Sequence, residues 1–212
     1  CVKELLVLVA GLSIQDTRER PLDASAAADE AHGRFADDSS DFIALLKLWR
    51  YLKRQRKKQS ASQFRKLCKR EFLNWQRVYE WFDLNRQLCE QAVEEKLSFS
   101  KQNANYEQVH KALLTGLLSH VGHRSPKDSS YMGLRSRTFH IFPGSGLFSK
   151  RPPWLMAAEI VETTKTWART NAAIEPEWIE ELAGHLLKRK YHDPHWSRRQ
   201  GRVLAWEQVS LF

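Results

Sequence analysis

At 212 residues, 42% of them hydrophobic and eight of them Trp, the chain has enough apolar material for one large or two small packed domains, which excludes a disordered tail. No apolar run approaches the roughly eighteen residues of a membrane-spanning helix, and no basic-then-apolar signal peptide opens the sequence. The net charge of +9 is unevenly placed: residues 1–110 hold 19 Lys/Arg against 16 Asp/Glu, residues 111–212 hold 15 against 9, so the second half is the more attractive to polyanions.

In chain order, KELLVLVAGLSI is almost wholly apolar and predicts a buried helix; it starts in mid-pattern at Cys1, the expectation for a piece of a longer protein. TRERP breaks it, because Pro21 lacks an amide hydrogen and restricts its neighbour. SDFIALLKLWRYL sets Phe42, Leu45, Leu46, Trp49 and Leu52 at helical spacing, with Ser40 or Asp41 able to cap the start. The run KRQRKK (53–58) ends that helix, where cations suit the dipole; it reads as a solvated helix end, with an RNA or ribosome patch as the other reading. SASQFRKLCKREF is a shorter helix capped by Ser60 or Ser62, and a long helix runs from about Phe72 to Leu97. NANYEQVHKALLTGLLSHV leads onward with Leu113, Leu114, Leu117 and Leu118 packing inward. The three scattered Cys (1, 68 and 89) have no CxxC spacing; Cys68 and Cys89, on apolar faces of helix-like segments, read as buried reduced thiols, fitting a cytoplasmic protein.

From residue 119 the pattern changes to short strand-like runs: roughly 119–124, 131–135, 137–142, 155–163 and 166–174. SPKDSS (125–130) is a turn-rich loop, and PGSG (143–146) turns the chain sharply, with glycine permitting positive φ. EPEWIEELAGHLLKRK predicts a helix with Pro176 in its first turn and Lys/Arg late, and 202–211 an additional strand. The fold class is therefore α+β: an all-helical bundle domain (1–110), a small five-stranded barrel domain (111–190) of the open Greek-key type with a C-terminal helix, and an extra strand in a further C-terminal segment (191–212).

Residues 29–32 spell Asp-Glu-Ala-His, which in a motor ATPase ends a buried strand so that its carboxylates reach magnesium and the attacking water. Here the letters follow ASAAA in a helix-favouring segment, and no GxxxxGK[ST] phosphate loop exists anywhere in the chain. The histidines 110, 120, 123 and 140 have no paired ligand spacing, and Ser145 in GSG lacks the GxSxG pattern of a nucleophile elbow. No catalytic or metal residue is assigned.

The basic residues of the second half are better placed. Arg135 and Arg137 lie two apart around a predicted hairpin and should project to one face. Lys127 sits in the preceding loop, Lys165 at the turn into the last strand and Arg169 within it. Phosphate contacts need such side chains along a groove, and Tyr131, Phe139 and Trp167 could stack on bases, although each aromatic taken alone reads first as core.

TFHIFPGSGLF, then PPWLMAAEIVETTKTWARTNAAIEPEWIEELAGHLLKR, resembles the OB-fold of DEAH-box RNA helicases, closely that of the bacterial HrpA branch. AGLSIQDTRERP, ADEAHGRF, SDFIALLKLW and SASQFRKLCKREFLNWQRVYEW extend the resemblance over nearly the whole chain. It implies an accessory region of a 3′-to-5′ RNA helicase that closes over single-stranded RNA. Its partners would be RNA and two motor domains of the same protein, which bind ATP and magnesium. In that family the helical block, a ratchet-like domain, lines the RNA channel, which makes Arg20 a candidate contact; the other reading has Arg18 and Arg20 fixing their loop through Asp16 or Glu19. The chain departs from a complete member by lacking both motor domains, so it should hold no cofactor and be inactive alone. A stand-alone single-strand-binding module and a protein scaffold docking on the ribosome are the rival readings.

Overall fold

A computed structural model describes residues 1–126 and 128–211. Six helices come first: α1 (Val2–Leu12), α2 (Ser25–Gly33), α3 (Asp41–Lys58), α4 (Ala61–Arg70), α5 (Trp75–Glu94) and α6 (Tyr106–Leu117). Their starts follow side-chain chemistry. The Ser40 hydroxyl accepts the Ile43 amide, Ser60 and Gln63 form a reciprocal capping box, Asn74 accepts the amides of Gln76 and Arg77, and Asn105 pairs with Gln108 in a second box. The long helix begins at Trp75 and not at Phe72, because Phe72 takes a left-handed turn (φ 53°) and Leu73 bridges back to Arg18. Val7, Leu8, Phe42, Leu46, Trp49, Leu52, Phe64, Val78, Trp81 and Leu114 are buried between these helices.

Five strands follow: β1 (Val121–Arg124), β2 (Tyr131–Gly133), β3 (Thr138–Ile141), β4 (Trp154–Glu162) and β5 (Thr166–Ala173). They close into a barrel in the order β1-β2-β3-β5-β4, with β3 and β5 parallel and β4 returning to β1. Tyr131, Phe139, Ile141, Leu147, Leu155, Ala157 and Ala168 fill it. Gly122 is required where it stands, since a Cβ there would lie 2.4 Å from the Phe139 ring. The PGSG turn works otherwise than expected. Neither of its glycines has positive φ; Gly146 instead lets the backbone approach the helical block, where a Cβ would sit 2.4 Å from the Asp37 carbonyl oxygen.

Helices and barrel share one core, in which Met156, Ala172, Ile174 and Ile179 join the helical residues and Leu117, Trp154, Trp178 and Leu182 pack against them. Beside it runs a polar seam built on residues 39–41. Ser40 bridges Ala172, and the Ala173 amide donates to the Ser39 carbonyl (2.8 Å). The Asp41 carboxylate accepts the Ser145 hydroxyl (2.6 Å) and the amides of Gly146 (2.9 Å) and Asn171 (2.8 Å). Ser40 thus caps α3, leaving Asp41 free to hold the barrel. Behind this strap of residues 39–41, buried His110 bridges the Ser40 hydroxyl (2.7 Å) and the Tyr106 carbonyl (2.6 Å). Desolvation pushes its pKa down to about 4. The neutral ring fits this geometry by donating to the carbonyl and accepting from the hydroxyl.

The helix after the barrel, α7 (Pro176–Ala183), is shorter than its sequence pattern. Leu187 onward is extended: β6 (Leu187–Ser197) pairs antiparallel with β7 (Arg202–Leu211) in a separate two-stranded sheet. The Lys/Arg run at 188–190, read as a helix end, is therefore strand. Gly184, one of the poorest helix formers, stands where α7 stops.

Candidate nucleic-acid interface

Across β2, β3 and β5 the register pairs Tyr131 with Phe139, Met132 with Thr138, His140 with Trp167 and Ile141 with Ala168. Period-two alternation sends Tyr131, Phe139, Ile141 and Ala168 inward, where all are buried. The alternate positions Met132, Thr138, His140, Trp167 and Arg169 therefore form an outer strip, continued by Phe142 just past β3. The strip is aromatic and cationic. The Trp167 ring lies 6.0 Å from His140 and 6.2 Å, edge to face, from Phe142, whose own ring is covered by the Arg169 guanidinium at 5.0 Å. Met132 is 57% and Phe142 37% exposed.

The cations around the strip are loosely held. Arg137, at the start of β3, faces Glu162 at 3.8 Å with both side chains largely exposed, an arrangement typically contributing no more than about 1 kcal/mol. Lys165 is exposed in the β4–β5 turn, where its carbonyl accepts both the amide and hydroxyl of Thr163 (3.0 Å each). Arg135 corrects an expectation. It and Ser136 occupy a tight turn with φ of 53° and 59°, so Arg135 and Arg137 do not share a face through strand alternation. Lys127 lies outside the described residues.

Of the three aromatics weighed for stacking, Tyr131 and Phe139 are core, with the Tyr131 hydroxyl donating to the Pro152 carbonyl (2.7 Å); Trp167 alone lies on the outer strip. Met132, His140 and Phe142 were not singled out by sequence, although the alternation in YMG and TFHIF already sets them opposite the buried positions.

Arg20 belongs to a different place. Its guanidinium makes a two-pronged pair with Asp29 (2.7 Å on each prong), while Arg18 pairs with Asp16 as one sequence reading had it. Asp29, Glu30 and His32 are on helix α2, and His32 Nε2 sits 3.2 and 3.1 Å from the carbonyl oxygens of Glu71 and Phe72. Desolvation lowers the His32 pKa. The Asp-Glu-Ala-His letters thus tie α2 to two neighbouring loops. With its aspartate held by Arg20 and its histidine turned to backbone, the tetrapeptide does not fit a nucleotide–magnesium site.

Comparison with known proteins follows the same outline. Residues 109–186 match the oligonucleotide/oligosaccharide-binding (OB)-fold family. Over all 212 residues the chain is 50% identical to the ATP-dependent RNA helicase HrpA homolog of Haemophilus influenzae and 49% identical to the ATP-dependent RNA helicase HrpA of Escherichia coli. The alignment takes in 100% of this chain and 16% of each relative, so the chain spans about a sixth of the length of the curated proteins it matches.

Proposed function

The chain is homologous from end to end to a C-terminal region of the HrpA-type ATP-dependent RNA helicases and carries an OB-fold domain, and from that premise we propose that it is the part of such an enzyme that closes over single-stranded RNA. The observation that carries this reading is the outer strip of β2, β3 and β5. Open Greek-key barrels use this face and the flanking loops to bind oligonucleotides, and exposed aromatics beside weakly paired cations are the chemistry that a flexible polyanion with flat bases requires. Half-buried Trp167, and Phe142 on the side that Arg169 leaves open, offer ring surface for stacking; Arg137, Lys165 and Arg169, with Arg135 at the nearby turn and Lys127 between β1 and β2 in the sequence, supply phosphate contacts.

ATP hydrolysis with magnesium, and the 3′-to-5′ movement it drives, belong on this reading to motor domains of the same protein. No step of that chemistry runs through the residues described above. A cytoplasmic location suits an RNA substrate and three free thiols, of which Cys68 is buried with its pKa pushed up to about 11 by desolvation. Arg20 stays a secondary candidate, since an RNA phosphate would have to compete with Asp29 for its guanidinium.

Fluorescence anisotropy on a short unstructured RNA across a salt series tests the reading. Reversing charge at Arg135, Arg137, Lys165 and Arg169 should weaken binding far more than reversing Lys57 and Lys58 at the end of α3. The opposite ranking would move the RNA to the helical block and leave the barrel as a docking surface for protein or ribosome.

A further inference from the structure

β6 and β7 form a ribbon paired from Leu187↔Leu211 to Ser197↔Arg202, with one register shift between His192 and His195. Two strands alone are marginally stable in water and need a covered face or a packed root. The root is visible. Leu187 packs against the helical core, and Arg189 reaches Glu180 of α7 at 3.5 Å while holding Glu207 across the ribbon at 2.9 Å. Tyr191 donates its hydroxyl to the same Glu207 (2.9 Å). Arg189, Tyr191 and Glu207 share one face by alternation, so that face carries its own charge compensation and turns toward α7.

The other face differs in kind. Cross-strand pairing of Lys188 with Ser210, Lys190 with Gln208, His192 with Trp206, His195 with Leu204 and Ser197 with Arg202 puts three full positive charges and no carboxylate on it. Among the described residues no ion pair reaches Lys188, Lys190 or Arg202. Lys188 and Lys190 stand about 6.8 Å apart along the strand. Trp206 is 72% exposed in the middle of the same face, and the tip adds Arg198 and Arg199 in the turn closed by the Gly201 amide on the Ser197 carbonyl (2.8 Å). An exposed ring set among cations with no carboxylate partner is the combination that single-stranded nucleic acid engages, phosphates on the charges and a base on the ring.

We propose that this face of the β6–β7 ribbon is a second contact for single-stranded RNA, separate from the barrel strip, with Lys188, Lys190 and Arg202 on phosphates and Trp206 stacked on a base. The proposal rests on RNA being the ligand of the chain. An acidic protein segment would satisfy the cations but would leave the ring beside them without a matching face, so stacking is the part that separates the two.

The test uses the whole 212-residue chain, a short unstructured RNA and anisotropy across a salt series. Lys188→Glu, Lys190→Glu and Arg202→Glu together should lower the slope of log K against log salt by about 2, at roughly 0.7 per lost phosphate contact. Trp206→Ala should weaken binding about 5-fold or more, Trp206→Phe should restore most of it, and Trp196→Ala, on the opposite face and 62% exposed, should leave it unchanged. Damage from Trp196→Ala equal to that from Trp206→Ala would mean that the ribbon had simply melted and would overturn the stacking assignment. Unchanged affinity and slope in the triple variant, or competition by polyglutamate as strong as by RNA, would overturn the proposal. Arg137→Glu with Arg169→Glu runs alongside. Loss confined to those two removes the ribbon site and keeps the barrel reading, loss confined to the ribbon does the reverse, and an unmutated chain that binds no RNA removes both.

Discussion

The seam between helices and barrel and the outer strip of the barrel are built from adjoining residues of β5, yet they use polar groups in opposite ways. Asn171, Ala172 and Ala173 give their backbone to the strap at 39–41, where Asp41, Ser40, His110 and Tyr106 fix one arrangement through short hydrogen bonds. Two and four residues earlier, Arg169 and Trp167 face outward, held only by a cation–ring contact and loose aromatic packing. Thr170 divides the two with φ of 52°, a conformation costly for a β-branched residue and sustained only by well-fixed surroundings. Buried polar groups stabilise when satisfied and are costly when orphaned, whereas exposed cations contribute little to folding and are free for a ligand. The seam should answer to stability measurements and the strip to binding measurements.

The largest expected effect is at Asp41. Asp41→Ala removes the acceptor for the Gly146 and Asn171 amides and the Ser145 hydroxyl, and should cost about 3 kcal/mol in urea unfolding while the strip keeps its composition. A loss below about 1 kcal/mol would mean that the seam is incidental. His110 comes next. Its folded pKa of about 4 lies below the usual 6.5, so the unfolded chain takes up the proton first; stability is full above pH 6.5 and falls as pH drops toward 4, by up to about 3 kcal/mol. His110→Gln should flatten that part of the stability-against-pH curve, and an identical slope in the variant would break the assignment. At the strip, Arg137→Glu with Arg169→Glu should lower the salt slope of RNA binding by about 1.4 and shift unfolding by less than about 0.5 kcal/mol. A large stability loss there would erase the contrast between the two regions. The smallest effect belongs to Glu30, exposed on α2: in a full-length helicase carrying this segment, Glu30→Gln should leave ATP turnover near normal. Collapse of turnover in a folded variant would make the tetrapeptide part of a motor after all.

Much of the architecture is legible in residue pattern. Helical spacing around Trp49, the capping residues Ser40 and Ser60, and the change from period 3.6 to period two near residue 119 all correspond to observed elements. The errors occur where a simple spacing rule is overruled by a partner elsewhere in the chain or by a tight turn. Lys188–Lys190 resembles a helix end but pairs with 208–210, and the two-residue spacing of Arg135 and Arg137 loses its meaning inside a left-handed turn. The roles of Asp41 and Arg20 depend on partners 130 and 9 residues away, respectively, and neither periodicity nor composition carries that information. The strip is half legible: its cations stand out by charge, while His140 and Phe142 read as ordinary strand residues unless their inward-facing neighbours are identified.

The strap at 39–41 also decides what happens to an open sheet edge. β3 pairs with β5 only at Trp167 and Ala168, which leaves the outer side of Asn171–Ala173 to be covered by Ser39, Ser40 and Asp41. The barrel family span, 109–186, begins well after that cover, which ends at Asp41. Excised alone, it would present the Asn171 and Ala173 amides on a bare strand margin, the feature by which sheets recruit one another into aggregates. The helical block is thus a guard against self-association as well as a neighbour, and the barrel span expressed alone is expected to aggregate more readily than the whole chain.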